Sequence, residues 1–379
     1  MKVILVVVEY KYFLMQRLNL GIAIREAGYE VVVVAKNDGH SRDIETLGFR
    51  CINLETKREG RNPLSEILSI YNLFRIYKSE KPDVVHHISI KPVLYGSIAG
   101  KLARVPTIMN LINGLGFVFV EDSSFKRRFL RVFILSFYKI SLWGKSVKVI
   151  FQNPDDQQFF INKKIINESQ STVILGSGVN TEVFIPVIDR PKNDVIQILF
   201  CSRMIWDKGI QYLIEAIILL KEHGYQFDMN FVGAPDDSNP QSVSLAKIES
   251  WQENGLIKYH GFQKNVLGFL QKSDFIVLPT FYREGVPLSL IEAASTGLPI
   301  ITTDMPGCRE IVKNELNGFI VPIKDTLSLK SSMEKLLISE KLRTKYGAES
   351  RKRVVEFFAK EIVNKKTIEF YSNKGSRIE

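Results

Sequence analysis

Two glutamates eight positions apart, Glu284 and Glu292, stand in the run REGVPLSLIEAASTGLPIITTDMPGCREIV from Arg283 to Val312. The β-rich segment DFIVLPT (274–280) ends just before Glu284, and a helical pattern begins near Pro287. A strand that turns into a helix leaves the first backbone N–H groups of the helix without partners. With the helix dipole they form a site for a phosphate. Pro287 suits the first helical turn, because it has no N–H to lose there. Gly285 lets the backbone come close to a ligand. Gly285, Val286, Pro287 and Leu288 are therefore the peptide edge expected at a ligand, with Glu284 as a carboxylate in the turn. Glu292 lies among the small and apolar residues of PLSLIEAAS and is expected to be partly buried. A buried acid needs donors, and ligand hydroxyls are one source.

Two cations have a similar setting. The segment SRMIWDKGI (202–210) follows the strand IQILFCSRM and precedes a helix starting at Gly209. Arg203 and Lys208, at the mouth of that strand, can grip a diphosphate and neutralise charge on a departing group. The turns FVG, ending at Gly233, and HGF, with Gly261 and Phe262, close two further strands of the same half.

Such residues need a scaffold. Apolar β-rich runs alternate with helical patterns from the first residue: VILVVV, YEVVVVA, DVVHHIS, PTIMNLI and VKVIFQN in the first half, then IQILFC, FDMNFVG, DFIVLP, PIITTD and FIVP. Continuous apolar strands separated by helices indicate parallel sheets covered on both faces. The stretch IPVIDRPKND (185–194) reads as a linker. The chain is thus expected to be α/β, with two doubly wound domains that bind ligands at the carboxyl ends of their strands. The expected boundaries are 1–185, 186–358 and a terminal helix in 359–379.

Composition narrows the class. The 379 residues are 45% apolar and 24% charged, as in ordinary globular proteins. Three scattered cysteines signal neither a disulfide framework nor a zinc site, and a reducing cytosol fits. MKVILVVVEYKYF reads as a buried first strand rather than a signal peptide. Net charge is +10, concentrated in 101–150, where nine Lys/Arg face two acids. Within it, 126–148 is both basic and apolar. Arg127, Arg128, Arg131, Ser136 and Lys139 share about half of a helical wheel. That suits a helix at an anionic membrane surface; the alternative is a surface helix with its apolar side in the first domain's core. No nucleic-acid-binding motif accompanies the charge, so nucleic acid is not the expected partner.

The full run around Glu284 and Glu292, E-x7-E followed by A-x-x-x-G-x-P-I-I, resembles the donor-site signature of retaining glycosyltransferases of family 4, which have the GT-B fold. SRMIWDKG resembles that family's G-R-L-x-x-x-K-G, with Ser202 for the usual Gly. GSGVNTEVF (176–184) resembles its interdomain G-V-[DN]-x-x-x-F element. The resemblance implies two Rossmann-like domains facing a central cleft, with the terminal helix crossing back to the first. It implies that Glu284 meets the donor sugar near the reacting carbon and that Glu292 meets ribose hydroxyls. Arg203 and Lys208 would hold the diphosphate, and Gly261, Phe262 and Gly233 would lie at the nucleotide. The leaving diphosphate would assist removal of the acceptor proton, so charge placement and positioning carry the reaction. No D-x-D occurs, so a metal-held diphosphate is not expected, and neither is another cofactor.

For the first half, YKYFLMQRLNL (10–20) is expected as a loop. It resembles the F-L-x-x-R-L-x-L pattern of bacterial polysaccharide transferases, with Gln16 where a His often stands. Arg17 either meets an acceptor or donor phosphate or caps the sheet through an ion pair. NGLGF (113–117) has Asn113 where relatives often place a His, and Gly114 and Gly116 allow close approach to a sugar or phosphate. Its G-L-G-x-x-F arrangement resembles the subgroup extending sugars on undecaprenyl diphosphate, notably N-acetylhexosamine transferases. His86 and His87 are neighbours on a strand, so they point to opposite faces and would not share one metal. Lys91 ends the same segment, VVHHISIK, and either an acceptor contact by one of His86, His87 and Lys91 or packing explains them. The resulting expectation is α-linked transfer from a UDP-sugar to a lipid-diphosphate saccharide at the inner face of the cell membrane, for a capsule, O-antigen or related glycan. The alternatives are a UDP-sugar 2-epimerase and a non-catalytic partner of a polysaccharide assembly complex.

Overall fold

The computed structural model describes residues 1–54, 63–116, 119, 125–187, 194–237 and 239–372, with 63–64, 125–128 and 372 described by backbone alone. Phe117, most of the 185–194 linker and the side chains of Arg127 and Arg128 lie outside the described residues. The chain forms two compact units, Met1–Ser177 with Lys360–Glu379, and Gly178–Ala359. The stretch 178–185, expected with the first domain, packs in the second. Val179 bridges to Ala359, and Arg351 donates to the carbonyls of Thr181 and Phe184.

The first unit is built on a parallel sheet of seven strands: β1 Lys2–Glu9, β2 Glu30–Lys36, β3 Arg50–Asn53, β4 Val84–Ile88, β5 Thr107–Ile112, β6 Val147–Phe151 and β7 Ser171–Val173. Their order is β3-β2-β1-β4-β5-β6-β7. Side chains alternate between the faces, so β1 serves two cores. Ile4 and Val6 enter one, with Tyr77 and Phe160; Val3, Leu5 and Val7 enter the other, with Phe13 and Tyr371. The second core is closed by the terminal helix Lys360–Ser372, through Val363, Phe370 and Tyr371. Strand order reverses between β1 and β4.

The stretch expected as a loop at 10–20 is helical. Helix Tyr10–Gln16 follows β1 directly, the chain kinks at Arg17, and Leu18–Glu26 continues. Tyr10 and Phe13, three apart, bury one face of that first helix against the sheet, which outweighs the β-branched run before it.

The second unit holds six parallel strands: β8 Ile196–Cys201, β9 Phe227–Val232, β10 Lys258–Tyr259, β11 Phe275–Leu278, β12 Ile300–Thr303 and β13 Gly318–Val321. Their order is β10-β9-β8-β11-β12-β13, reversing between β8 and β11. In such sheets the crevice outside the reversal point is the natural ligand position.

Candidate active site

The loops leaving β8 and β11 flank that reversal. After β8 the chain makes a single 3-10 turn, Trp206–Lys208, which sends the Lys208 side chain inward, leaving the residue 4% exposed. After β11, the turn 279–287 carries Glu284. Lys208 Nζ donates to Glu284 Oε1 at 2.5 Å. A buried ammonium requires a partner of this kind. The two loops are stitched by backbone as well. Phe281 N–H donates to Asp207 O at 2.9 Å, and the Thr280 hydroxyl reaches the same carbonyl at 3.3 Å.

Tyr282 joins the cations. Its ring centre lies 5.5 Å from Lys208 Nζ and 5.9 Å from Arg203 Cζ, within cation–π range. Arg203 is half exposed and donates to Asp236 Oδ2 at 2.6 Å. Glu284, Lys208, Tyr282, Arg203 and Asp236 thus form one charged cluster. Glu284, Arg203 and Lys208 were recognisable by type and position. Tyr282 and Asp236 were not singled out, although both stand in the turns after β11 and β9.

Pro287 is the N-cap of helix Leu288–Ser295, with φ −60° and ψ 121°, one position earlier than its expected place inside the first turn. The turn Gly285–Pro287 is buried. Gly307 explains part of that burial: a Cβ there would stand 1.6 Å from Gly285 O, so the 306–307 turn lies directly against this peptide edge. Glu292 is on the same helix, and burial raises its carboxyl pKa to about 7. Gly233, with φ 138°, brings two more loops together. Its N–H donates to Gly261 O at 2.8 Å, and a Cβ would stand 1.8 Å from Ser202 O. Phe262, beside Gly261, is exposed. His260 is tied into the fold, with Nε2 2.9 Å from Asn230 Oδ1 and its ring 4.8 Å from that of Phe269.

In the first unit, Arg17 sits at the kink between two helices and is only 3% exposed. Among the described residues its guanidinium bonds neutral groups: Asn113 Oδ1 at 3.0 Å and the Tyr12 hydroxyl at 3.4 Å. Asn113 Nδ2 in turn donates to that hydroxyl at 2.6 Å. The ion-pair reading of Arg17 thus has no carboxylate among the described residues. Gln16, beside it, is partly exposed, and Gly114 and Gly116 have φ of 94° and 70°, which suits glycine alone.

His86 is 0% exposed, and its Nδ1 lies 2.7 Å from the Tyr371 hydroxyl of the terminal helix. Packing, not an open acceptor contact, describes it. His87 points to the other face, where it meets Tyr77 and Asn110. Burial lowers the His86 pKa to about 3 and that of His87 to about 4, so both are neutral. Nothing in the chain before residue 90 signals that residue 371 will cover His86. Among the described residues no group of three or more His, Cys, Asp or Glu is arranged to hold a metal ion.

Comparison with known proteins agrees with this architecture. Residues 2–153 match the model described as glycosyl transferase 4-like, and 184–353 match glycosyl transferases group 1. The N,N'-diacetylbacillosaminyl-diphospho-undecaprenol alpha-1,3-N-acetylgalactosaminyltransferase of Campylobacter jejuni is 29% identical over 85% of each chain. The UDP-Gal:alpha-D-GlcNAc-diphosphoundecaprenol alpha-1,3-galactosyltransferase of Escherichia coli is 25% identical over 78% of this chain and 77% of its own. The solved structure of HepE from Anabaena in complex with UDP superposes with a TM-score of 0.77, at 16% identity, over 98% of this chain and 100% of that one. With one of these family models on each of its sheets, and with this fold, the chain belongs to the GT-B glycosyltransferases of the group 1, 4-like kind.

Proposed function

We propose that this glycosyltransferase moves an N-acetylhexosamine, with retention, from a UDP-sugar to a saccharide carried on a polyprenyl diphosphate, forming an α-linkage in a surface-glycan precursor. The observation that carries the reading is the contact between buried Lys208 and Glu284 at the reversal point of the second sheet, with Arg203 beside it. In this reading the donor diphosphate lies over Lys208, Arg203 and the peptide edge of Gly285–Leu288. Lys208 exchanges its carboxylate partner for the diphosphate, and Glu284 is left facing the sugar. The bond from C1 to the diphosphate oxygen breaks, the acceptor oxygen bonds C1 on the same face, and its proton passes to the departing diphosphate. Two cations stabilise the charge that develops there. Glu292 accepts hydrogen bonds from the ribose, and Gly233, Gly261 and Phe262 flank the base. No metal is required in this scheme.

The acceptor reading draws on the names of the relatives that act on undecaprenyl-diphosphate sugars. It also draws on Arg17, a buried cation with neutral partners, which an acceptor phosphate would pair. We place the protein at the cytoplasmic membrane face. Helix Phe125–Ser141 buries Tyr138 in the first core yet exposes Phe129, Val132, Phe133 and Ile140. Among the described residues no helix is long and apolar enough to cross a membrane.

The test is a calorimetric panel of UDP, GDP, ADP and UDP-sugars, with and without chelator. Binding of UDP that survives chelation is expected. A preference for GDP or ADP, or binding lost with chelator, overturns the donor assignment.

A further inference from the structure

A cavity of about 10 Å³ lies inside the first unit, between the terminal helix and the sheet. Arg17 and Leu20 line it from the kinked helix pair after β1, His86 from β4, and Val363 and Asn364 from the terminal helix Lys360–Ser372. Arg17 is 3%, His86 0% and Asn364 6% exposed. Each of these three carries one buried polar atom with no hydrogen-bond partner among the described residues: Arg17 Nε, His86 Nε2 and Asn364 Oδ1. Such orphans are uncommon in native interiors, and three around one cavity call for a common partner.

The rest of each side chain is already committed. Arg17 Nη2 is held by Asn113 and Tyr12. Asn364 Nδ2 donates to Asn19 O at 3.1 Å, which fixes the amide and leaves its oxygen over. His86 Nδ1 meets the Tyr371 hydroxyl. With that hydroxyl donating, the neutral ring carries its proton on Nε2. The occupant must therefore accept from Arg17 and His86 and donate to Asn364. An anion cannot donate, and a cation cannot accept and would be repelled by the guanidinium. A water molecule does both. It needs roughly 10–15 Å³ and two to four polar partners, which the cavity supplies.

We propose that one ordered water occupies this cavity and makes Asn364 a positioning residue for Arg17. A water bridge between two protein groups holds them nearly as well as a direct hydrogen bond. The guanidinium is then fixed at two edges, by Asn113 and Tyr12 on one and by the water on the other. A residue of the terminal helix thus sets the direction of a cation 347 positions earlier in the chain, between residues 17 and 364. The positioning role rests on the proposed transfer, in which Arg17 meets the acceptor phosphate; the water site does not.

The first test is a crystal structure of the full chain grown with sodium bromide as the salt. One density peak is expected about 2.6–3.2 Å from each of the three atoms, without anomalous signal from bromide. An anomalous peak there makes the occupant an anion and overturns the water, as does the lack of any peak. The second test uses Asn364→Leu, which removes the acceptor and fills the cavity. Calorimetry measures UDP and a soluble short-alkyl N-acetylglucosaminyl diphosphate as acceptor probe. The probe is expected to bind about tenfold more weakly, the worth of one hydrogen bond to a charged group, with UDP affinity unchanged. Asn364→Asp keeps an oxygen toward the water and is expected to bind the probe as the wild type does. Melting temperature checks folding; if Asn364→Leu fails, Asn364→Ala, which adds no bulk, decides. Unchanged probe affinity in the folded variant, or equal loss of probe and UDP, overturns the positioning role. A wild type that binds UDP but not the probe overturns the acceptor reading and the positioning role with it, and leaves the water to be decided by the density.

Discussion

Glu284 and Glu292 share a turn and a helix, yet their surroundings set them different tasks. Glu284 is paired with Lys208, so its direction is fixed by a buried cation. Glu284→Gln keeps the shape and removes the charge. Transfer is expected to fall by about a hundredfold or more, as when a transition-state electrostatic partner is lost, while UDP affinity changes little. Unaltered turnover would refute the role. Glu292 has its pKa raised to about 7 by burial. A carboxylate must be ionised to accept from two ribose hydroxyls, so UDP affinity is expected to rise as pH increases through about 7. The stability effect has the opposite sign. The folded state holds the proton more tightly than the unfolded state, so folding is penalised above about pH 7 and the penalty vanishes below the ordinary carboxyl range. Glu292→Gln should therefore melt above the wild type at pH 8 and converge with it near pH 4.5, with UDP binding that is weak and flat with pH. Calorimetry from pH 5 to 8.5 and thermal melts from pH 4 to 8.5 check both; a pH-independent wild type contradicts the assignment.

At the level of elements, the terminal helix Lys360–Ser372 completes the first unit from the far end of the chain. Tyr371 fills the core under β4 and its hydroxyl meets His86, while Lys148 donates to the carbonyls of Phe370 and Tyr371. Tyr371→Phe leaves a buried imidazole nitrogen without its partner and is expected to cost about 1–3 kcal/mol. Tyr371→Ala adds a cavity and is expected to cost about 3–5 kcal/mol. Urea unfolding followed by circular dichroism separates them; equal losses would mean that the hydroxyl contributes nothing. The same helix shows where sequence reading stops. The strands were legible because VILVVV and EVVVVA are too continuous and too β-branched for anything but buried parallel strands. The turn around Glu284 was legible because strand, Gly-Val-Pro and helix follow within a few residues. Glu284 and Lys208 could each be picked out, but their contact joins residues 76 positions apart. His86 looked available because the helix that covers it is 285 positions away. The kink at Arg17 was hidden as well, because Tyr10 and Phe13 declare a helix only once the sheet beneath them is in place.

For the molecule as a whole, a net charge of +10 does not say where a membrane would touch it. In the proposed docking, the exposed apolar side chains mark the place. Phe129, Val132, Phe133 and Ile140 follow one another at helical spacings and Trp143 stands two residues past the helix's end; Phe133 is 63% and Trp143 77% exposed. Lys139 and Lys145 are exposed among them. Tyr138 anchors the helix in the core, as the surface-helix reading expects, and further apolar side chains face outward, which the proposed docking would use. A surface of this kind binds by two additive terms. The charge term is about 1 kcal/mol per cation near an anionic bilayer and is screened within about 10 Å at 0.1 M salt. The apolar term is not screened. Reversing Lys139 and Lys145 to Glu should weaken flotation on phosphatidylserine liposomes at low salt and matter little at 0.5 M. Phe133→Glu with Trp143→Glu should weaken it at both. If the apolar pair changes nothing while the charge pair abolishes binding, the surface is held by electrostatics alone and the outward stripe is not inserted. If neither pair changes flotation, this helix does not dock the protein, and the acceptor must reach the first unit by another face.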